Sequence, residues 1–170
     1  SRSSSVVTSD VSDVVQKVMP SIVSITSMSV EEVQSFFGGT YQKQSAGAGT
    51  GIIIGENDSE LLIVTNNHVV EGSDTLTVSF DDETSVEANI KGTDSAYDVA
   101  VIAVPLKSLS KETLGAISTA TLGNSEELKV GEPAIAIGNA LGYGQSVTGE
   151  YVSALNRSLK LTDESGTEIN

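Results

Sequence analysis

The chain has 170 residues, enough for one domain or slightly more at roughly 150 residues per domain. Its formal charge is −14, from 23 acids against 9 bases, which argues against DNA or RNA as a partner because binding phosphates needs clustered Lys and Arg. With no cysteine and a single histidine, disulfide frameworks, Cys-type and multi-His zinc sites and thiol nucleophiles are all excluded.

The opening Ser1-Arg2-Ser3-Ser4-Ser5 is polar, so residues 1–8 are expected to be a flexible tail. Val11, Val14, Val15 and Val18 then recur at helical spacing. They predict a short helix with Ser9 or Asp10 as N-cap, Pro20 as its stop, and a valine stripe packed on the domain's own core. From Pro20 the pattern is β. Strands are predicted over 22–26, 52–54, 61–65, 76–80, 86–90, 99–104, 134–137 and 146–155, with Gly149 as a bulge in the last. Residues 27–48 are polar and Gly-rich around the pair Phe36-Phe37 and are expected to be a long loop. Residues 106–121 form a second connector with weak helical character. Many short strands joined by Gly-rich turns predict an all-β barrel or sandwich. No apolar run approaches the ~20 residues of a membrane span.

Two residues stand out chemically. His68 lies in Thr65-Asn66-Asn67-His68-Val69-Val70, where an apolar strand turns polar. A rigid corner of that kind suits a general base, whose ring must be held within hydrogen-bond reach of its nucleophile. Asp98 opens the apolar strand 99–104 with no Lys or Arg within six residues. A partly buried carboxylate needs a partner. That partner is either nearby backbone N–H groups, which Asp98 would cap, or the imidazole of His68, which Asp98 would orient. The nucleophile is less legible. Gly123-Asn124-Ser125 imitates a reactive Gly-x-Ser, but Glu126-Glu127 follow it and would oppose a developing oxyanion. Asn124 or Ser125 is read instead as the cap of a short turn. Gly47-Ala48-Gly49-Thr50-Gly51 leads into a strand and not a helix N-terminus, so it is no phosphate loop. Its glycines are read as allowing a tight turn or a close backbone approach. Asp81-Asp82-Glu83 lacks the spacing of a calcium loop and reads as a solvated hairpin turn.

Together these segments resemble the N-terminal part of the protease domain of HtrA/Deg-type, trypsin-like serine endopeptidases. The resemblance is carried by Gly47-Ala48-Gly49-Thr50-Gly51-Ile52-Ile53, Thr65-Asn66-Asn67-His68-Val69-Val70, Tyr97-Asp98-Val99-Ala100-Val101, Leu122-Gly123-Asn124-Ser125 and Gly144-Gln145-Ser146-Val147-Thr148-Gly149, in that order. Ala140 stands where the family commonly has Pro. The resemblance implies a fold of antiparallel β-barrels. Residues 9–122 would carry the N-terminal helix and the first barrel, and 123–170 would begin a second barrel, truncated here. It makes His68 the general base and Asp98 the acid that orients it. The family's nucleophile lies in a Gly-Asn-Ser-Gly-Gly segment that these residues do not include, so the chain alone is expected to be inactive. The resemblance also implies unfolded polypeptides as substrates, protein quality control as the role, a homo-oligomer (a trimer in the full protein), and a bacterial extracytoplasmic location, periplasmic or at the cell surface, with any anchor upstream. No metal or organic cofactor is implied. Phe36-Phe37 is expected to contact a neighbouring subunit, and residues 130–170 are expected to swap, dimerise or lack order. The rival reading is a non-catalytic interaction or assembly module with an inert His–Asp contact.

Overall fold

The computed structural model describes residues 11–138, 146–153, 155, 161–162 and 168–169. The tail at 1–8, the Ser9 or Asp10 cap, the loop around Ala140 and most of 157–170 lie outside the described residues.

The order of elements is α1 (Val11–Val18), a 3₁₀ turn (Met19–Ser21), β1 (Ile22–Ser35), β2 (Gly39–Glu56), β3 (Glu60–Thr65), α2 (Asn67–Val70), β4 (Thr75–Ser79), β5 (Ser85–Asp94), β6 (Val99–Pro105), α3 (Lys111–Ala116), β7 (Pro133–Gly138), β8 (Ser146–Tyr151), β9 (Leu161–Thr162) and β10 (Glu168–Ile169). The first six strands close into an antiparallel barrel in the order β1-β2-β3-β6-β5-β4. Closure leaves no free sheet edge around the barrel. Alternation decides which side chains fill it: Leu61, Ile63 and Thr65 of β3 are buried while their neighbours are half-exposed. Val23, Ile25, Ile53, Ile102, Val104, Leu76 and Val78 are buried with them in the core.

Three features differ from the sequence reading. Residues 27–48 are not a loop. They extend β1 and β2 into a two-stranded ribbon whose register runs unbroken from Ile22↔Ile52 to Ser35↔Gly39. Ser29 and Ser45 share a 2.6 Å hydroxyl hydrogen bond across it, and Asp74 fastens its base, accepting from Val30 N–H at 2.7 Å. The ribbon is polar on both faces, so it carries no apolar alternation for a sequence reading to find. Second, Gly149 pairs in regular register with Ile135, and the irregularities fall instead between Ile53 and Gly55 and between Ile90 and Gly92. Third, the valine stripe of α1 is only half-buried, and Val14 is exposed. The last strands pair with one another, β7 with β8 over six residues and β9 with β10.

The β4–β5 turn is more than a solvated corner. Asp82 accepts from Thr84 N–H at 2.9 Å and from the Thr113 hydroxyl at 2.8 Å. Thr113 is buried at 1% exposure. Its one hydroxyl proton goes to Asp82, so its oxygen is left to accept from Ser110 (3.0 Å) or Thr84 (3.1 Å). Ser110 in turn caps α3 by accepting Thr113 N–H. The Thr84 N–H and then the Thr113 hydroxyl hold the Asp82 carboxyl below its ordinary range. A depressed folded-state value means stabilisation that is present once the unfolded carboxyl is ionised and is lost as pH falls through the folded value. The Asp82→Ala variant is therefore expected to be less stable than the parent near neutral pH, with the difference shrinking under acid. Urea midpoints across pH check this, and a gap that persists unchanged into strong acid contradicts it.

Candidate active site

The corner carrying His68 is built by packing. Val69 and Val70 are buried and pin the single turn α2 to the barrel. Gly49 makes room for it, since a Cβ there would lie 2.5 Å from Val69 Cγ2. The Thr65 hydroxyl donates to Thr50 O at 2.8 Å and ties the end of β3 to β2. Gly72 leaves the corner at φ 67°, a conformation that suits glycine.

Asp98 arrives from the other side. The β5–β6 hairpin has a four-residue loop, 95–98, bounded by the pair Asp94↔Val99. The Asp94 carboxylate shapes it by accepting from Ala96 N–H (3.0 Å) and Tyr97 N–H (3.2 Å). Asp98 ends the loop at φ 53°, in the left-handed region that few non-glycine residues occupy.

The Asp98 carboxylate contacts both kinds of partner, a backbone N–H and the imidazole. Its Oδ2 lies 2.7 Å from His68 Nδ1. Its Oδ1 accepts from His68 N–H at 2.8 Å. The carboxylate thus grips one residue by ring and backbone together and fixes both the position and the rotation of the imidazole. The Asp98 side chain is 18% exposed and that of His68 62%. Among the described residues no Lys or Arg pairs with Asp98, and Nε2 of His68 hydrogen-bonds nothing. A neutral imidazole that donates Nδ1–H to Asp98 leaves its lone pair on Nε2, the arrangement a general base requires. Asn66 also joins the site, donating from Nδ2 to Asp98 O at 3.0 Å. The sequence reading quoted Asn66 but gave it no role.

A cleft of about 1050 Å³ reaches Asn66 and Val99, neighbours of the pair, but is not lined by His68 or Asp98 themselves. Its lining includes Asn66 and Val99, Ile22 and Ile52 from the barrel, and Ile135 and Ile137 from β7. Ser125 is elsewhere in character. It opens an exposed 3₁₀ turn capped by Asn124, whose Oδ1 accepts from Glu126 N–H at 3.1 Å, the capping role expected of that segment. Among the described residues no group of three or more His, Cys, Asp and Glu side chains could hold a metal ion, and no helix is long and apolar enough to cross a membrane.

The family described as Trypsin-like peptidase domain matches residues 49–169. The chain belongs to this family. Within it the chain is an HtrA/Deg-type domain. It is 36% identical over 169 residues to "Serine protease Do-like HtrA" of Bacillus subtilis (strain 168), an alignment covering 95% of this chain and 36% of the relative. It is 42% identical over 121 residues to "Probable periplasmic serine endoprotease DegP-like" of Pseudomonas savastanoi pv. phaseolicola, covering 71% of this chain and 23% of the relative. Among solved structures, "HtrA-type protease AlgWS227A with decapeptide" superposes with a TM-score of 0.71 at 28% identity, covering 86% of this chain and 46% of that one. The chain therefore spans about a third or less of the length of these curated relatives.

Proposed function

We propose that this chain supplies the base and its orienting acid to a serine endopeptidase. His68 takes the proton from a serine hydroxyl as that oxygen attacks a peptide carbonyl, then returns it to the leaving amine. Asp98 holds the imidazole in the Nδ1–H tautomer and stabilises the imidazolium formed in between. One observation carries this reading: the two-point grip of the Asp98 carboxylate on His68, at 2.7 and 2.8 Å. Unfolded proteins are the substrates we assign, in an extracytoplasmic quality-control role. The nucleophile and oxyanion donors come from a Gly-Asn-Ser-Gly-Gly segment that is not part of these 170 residues, so they alone do not turn over.

The test compares the 170-residue chain with the full-length product of its coding sequence, both incubated with unfolded casein and with a fluorophosphonate that labels activated serine. Hydrolysis and labelling by the longer protein alone are expected. A full-length protein that neither cleaves nor labels would leave the pair an inert contact in an assembly module.

The ribbon bears on assembly. Phe36 and Phe37 sit at its tip, 99% and 95% exposed, with their rings edge to face at 6.0 Å between centroids. Two adjacent, fully exposed aromatic rings make an apolar patch of the kind that marks a contact surface. We assign them to contacts between subunits of a homo-oligomer. The double variant Phe36→Ser with Phe37→Ser is expected to lower the association state seen by sedimentation; an unchanged state removes the assignment.

A further inference from the structure

We infer that Asn66 is a positioning residue, which holds Asp98 in its left-handed conformation and through it fixes the tautomer of His68. This rests on the reading of His68 and Asp98 as base and orienting acid.

Asn66 occupies the N-cap position of α2, at φ −87° and ψ 145°. An asparagine there ordinarily turns its side-chain oxygen onto an N–H of the first helical turn. Asn66 makes no such bond. Two other groups serve that turn: His68 N–H goes to Asp98 Oδ1, and Val69 N–H to Asn66 O at 3.2 Å. The Asn66 amide is released from capping and reaches Asp98 O instead. The two residues have exchanged tasks, Asp98 capping the turn that Asn66 heads while Asn66 anchors the backbone of Asp98.

That backbone needs an anchor. Aspartate tolerates the left-handed region better than most residues, but φ 53° still carries steric strain that its surroundings must hold in place. On the N-terminal side the restraint is weak: Asp98 N–H reaches Ser95 O only at 3.4 Å. On the other side Val99 is already locked into the ladder with Asp94. The peptide carbonyl between them is the group that must not rotate, and Asn66 Nδ2 holds it at 3.0 Å. An aspartate carboxylate is a single methylene from its Cα, so a turn of this peptide carries both oxygens away from their two contacts with His68.

The chain has one histidine, so its imidazole nitrogens give an unambiguous ¹⁵N signature in the 170-residue protein. The parent is expected to show His68 predominantly as the Nδ1–H tautomer with that proton protected from exchange. In Asn66→Ala the ratio of Nδ1–H to Nε2–H tautomer is expected to fall about fivefold, as for loss of one hydrogen bond, with a folded amide spectrum retained. The same substitution made in an Asp98→Ala background should change nothing further, because the effect passes through Asp98. If Asn66→Ala does not fold, Asn66→Ser, which keeps a capping hydroxyl but not the reach to Asp98 O, is read in its place. An unchanged tautomer ratio in the variant overturns the inference, and so does an equal change in both backgrounds. A parent that lacks the Nδ1–H signature sinks the His68–Asp98 pairing itself, and the inference with it.

Discussion

Replacing His68 by alanine in the full-length protein is expected to lower kcat by about 10⁶, and Asp98→Ala by about 10⁴, with KM little changed in either. The inequality follows from the geometry. On the proposed mechanism His68 moves the proton, whereas Asp98 acts on it from behind, through its contacts with Nδ1 and the backbone N–H. Without Asp98 the imidazole still exists, but it samples the wrong tautomer and rotates. Without His68 there is nothing for Asp98 to orient. The double variant should therefore be no slower than His68→Ala alone, since the two act as a unit and their losses do not add. Steady-state hydrolysis of a fluorogenic peptide checks all three. A loss below about 100-fold in His68→Ala would mean that another group takes the proton. A double variant much slower than the single one would mean that Asp98 acts on the substrate independently.

How far the sequence shows this depends on what kind of force places each residue. The barrel strands were legible because burial inside a closed sheet imposes a period of two, as in Leu76, Val78 and Phe80 or Val86 and Ala88. The ribbon was not, because residues 29–46 bury little on either face and are held by backbone pairing, to which almost any residue contributes equally. The His68–Asp98 pair lay between these cases. Each residue was marked by a polar break at the end of an apolar strand, but their meeting depends on β3 lying beside β6 while β4 and β5 intervene in sequence. No local pattern encodes that neighbourhood, and the likeness of the ordered motifs to a known family supplied it. Asn66 and the φ of Asp98 were invisible for a further reason. An asparagine before a helical turn has an ordinary explanation as a cap, and only coordinates reveal that it is aimed elsewhere.

A second large effect is expected where the barrel is tightest. Gly51 lies in β2 opposite Val23. A Cβ there would come within 2.7 Å of Ile63 Cγ2 and 2.9 Å of both Ile25 Cδ1 and Val23 Cγ2, three side chains with no solvent exposure. Branched residues have few rotamers to retreat into, so Gly51→Ala is expected to destabilise the fold by about 1–3 kcal/mol through overpacking. Ile63→Ala errs in the opposite direction, opening a void worth about 2–5 kcal/mol. The two defects share one volume. A methyl added at position 51 points into the space that the isoleucine vacates, so the double variant should be more stable than the sum of the separate losses by at least about 1 kcal/mol. Urea denaturation of the four proteins measures this directly. Strict additivity would show that the barrel relaxes around Gly51 without involving Ile63. The glycine would then owe its place to something other than the close approach of these side chains, and the packing that seats β2, and with it Gly49 beneath the His68 turn, would need a different account.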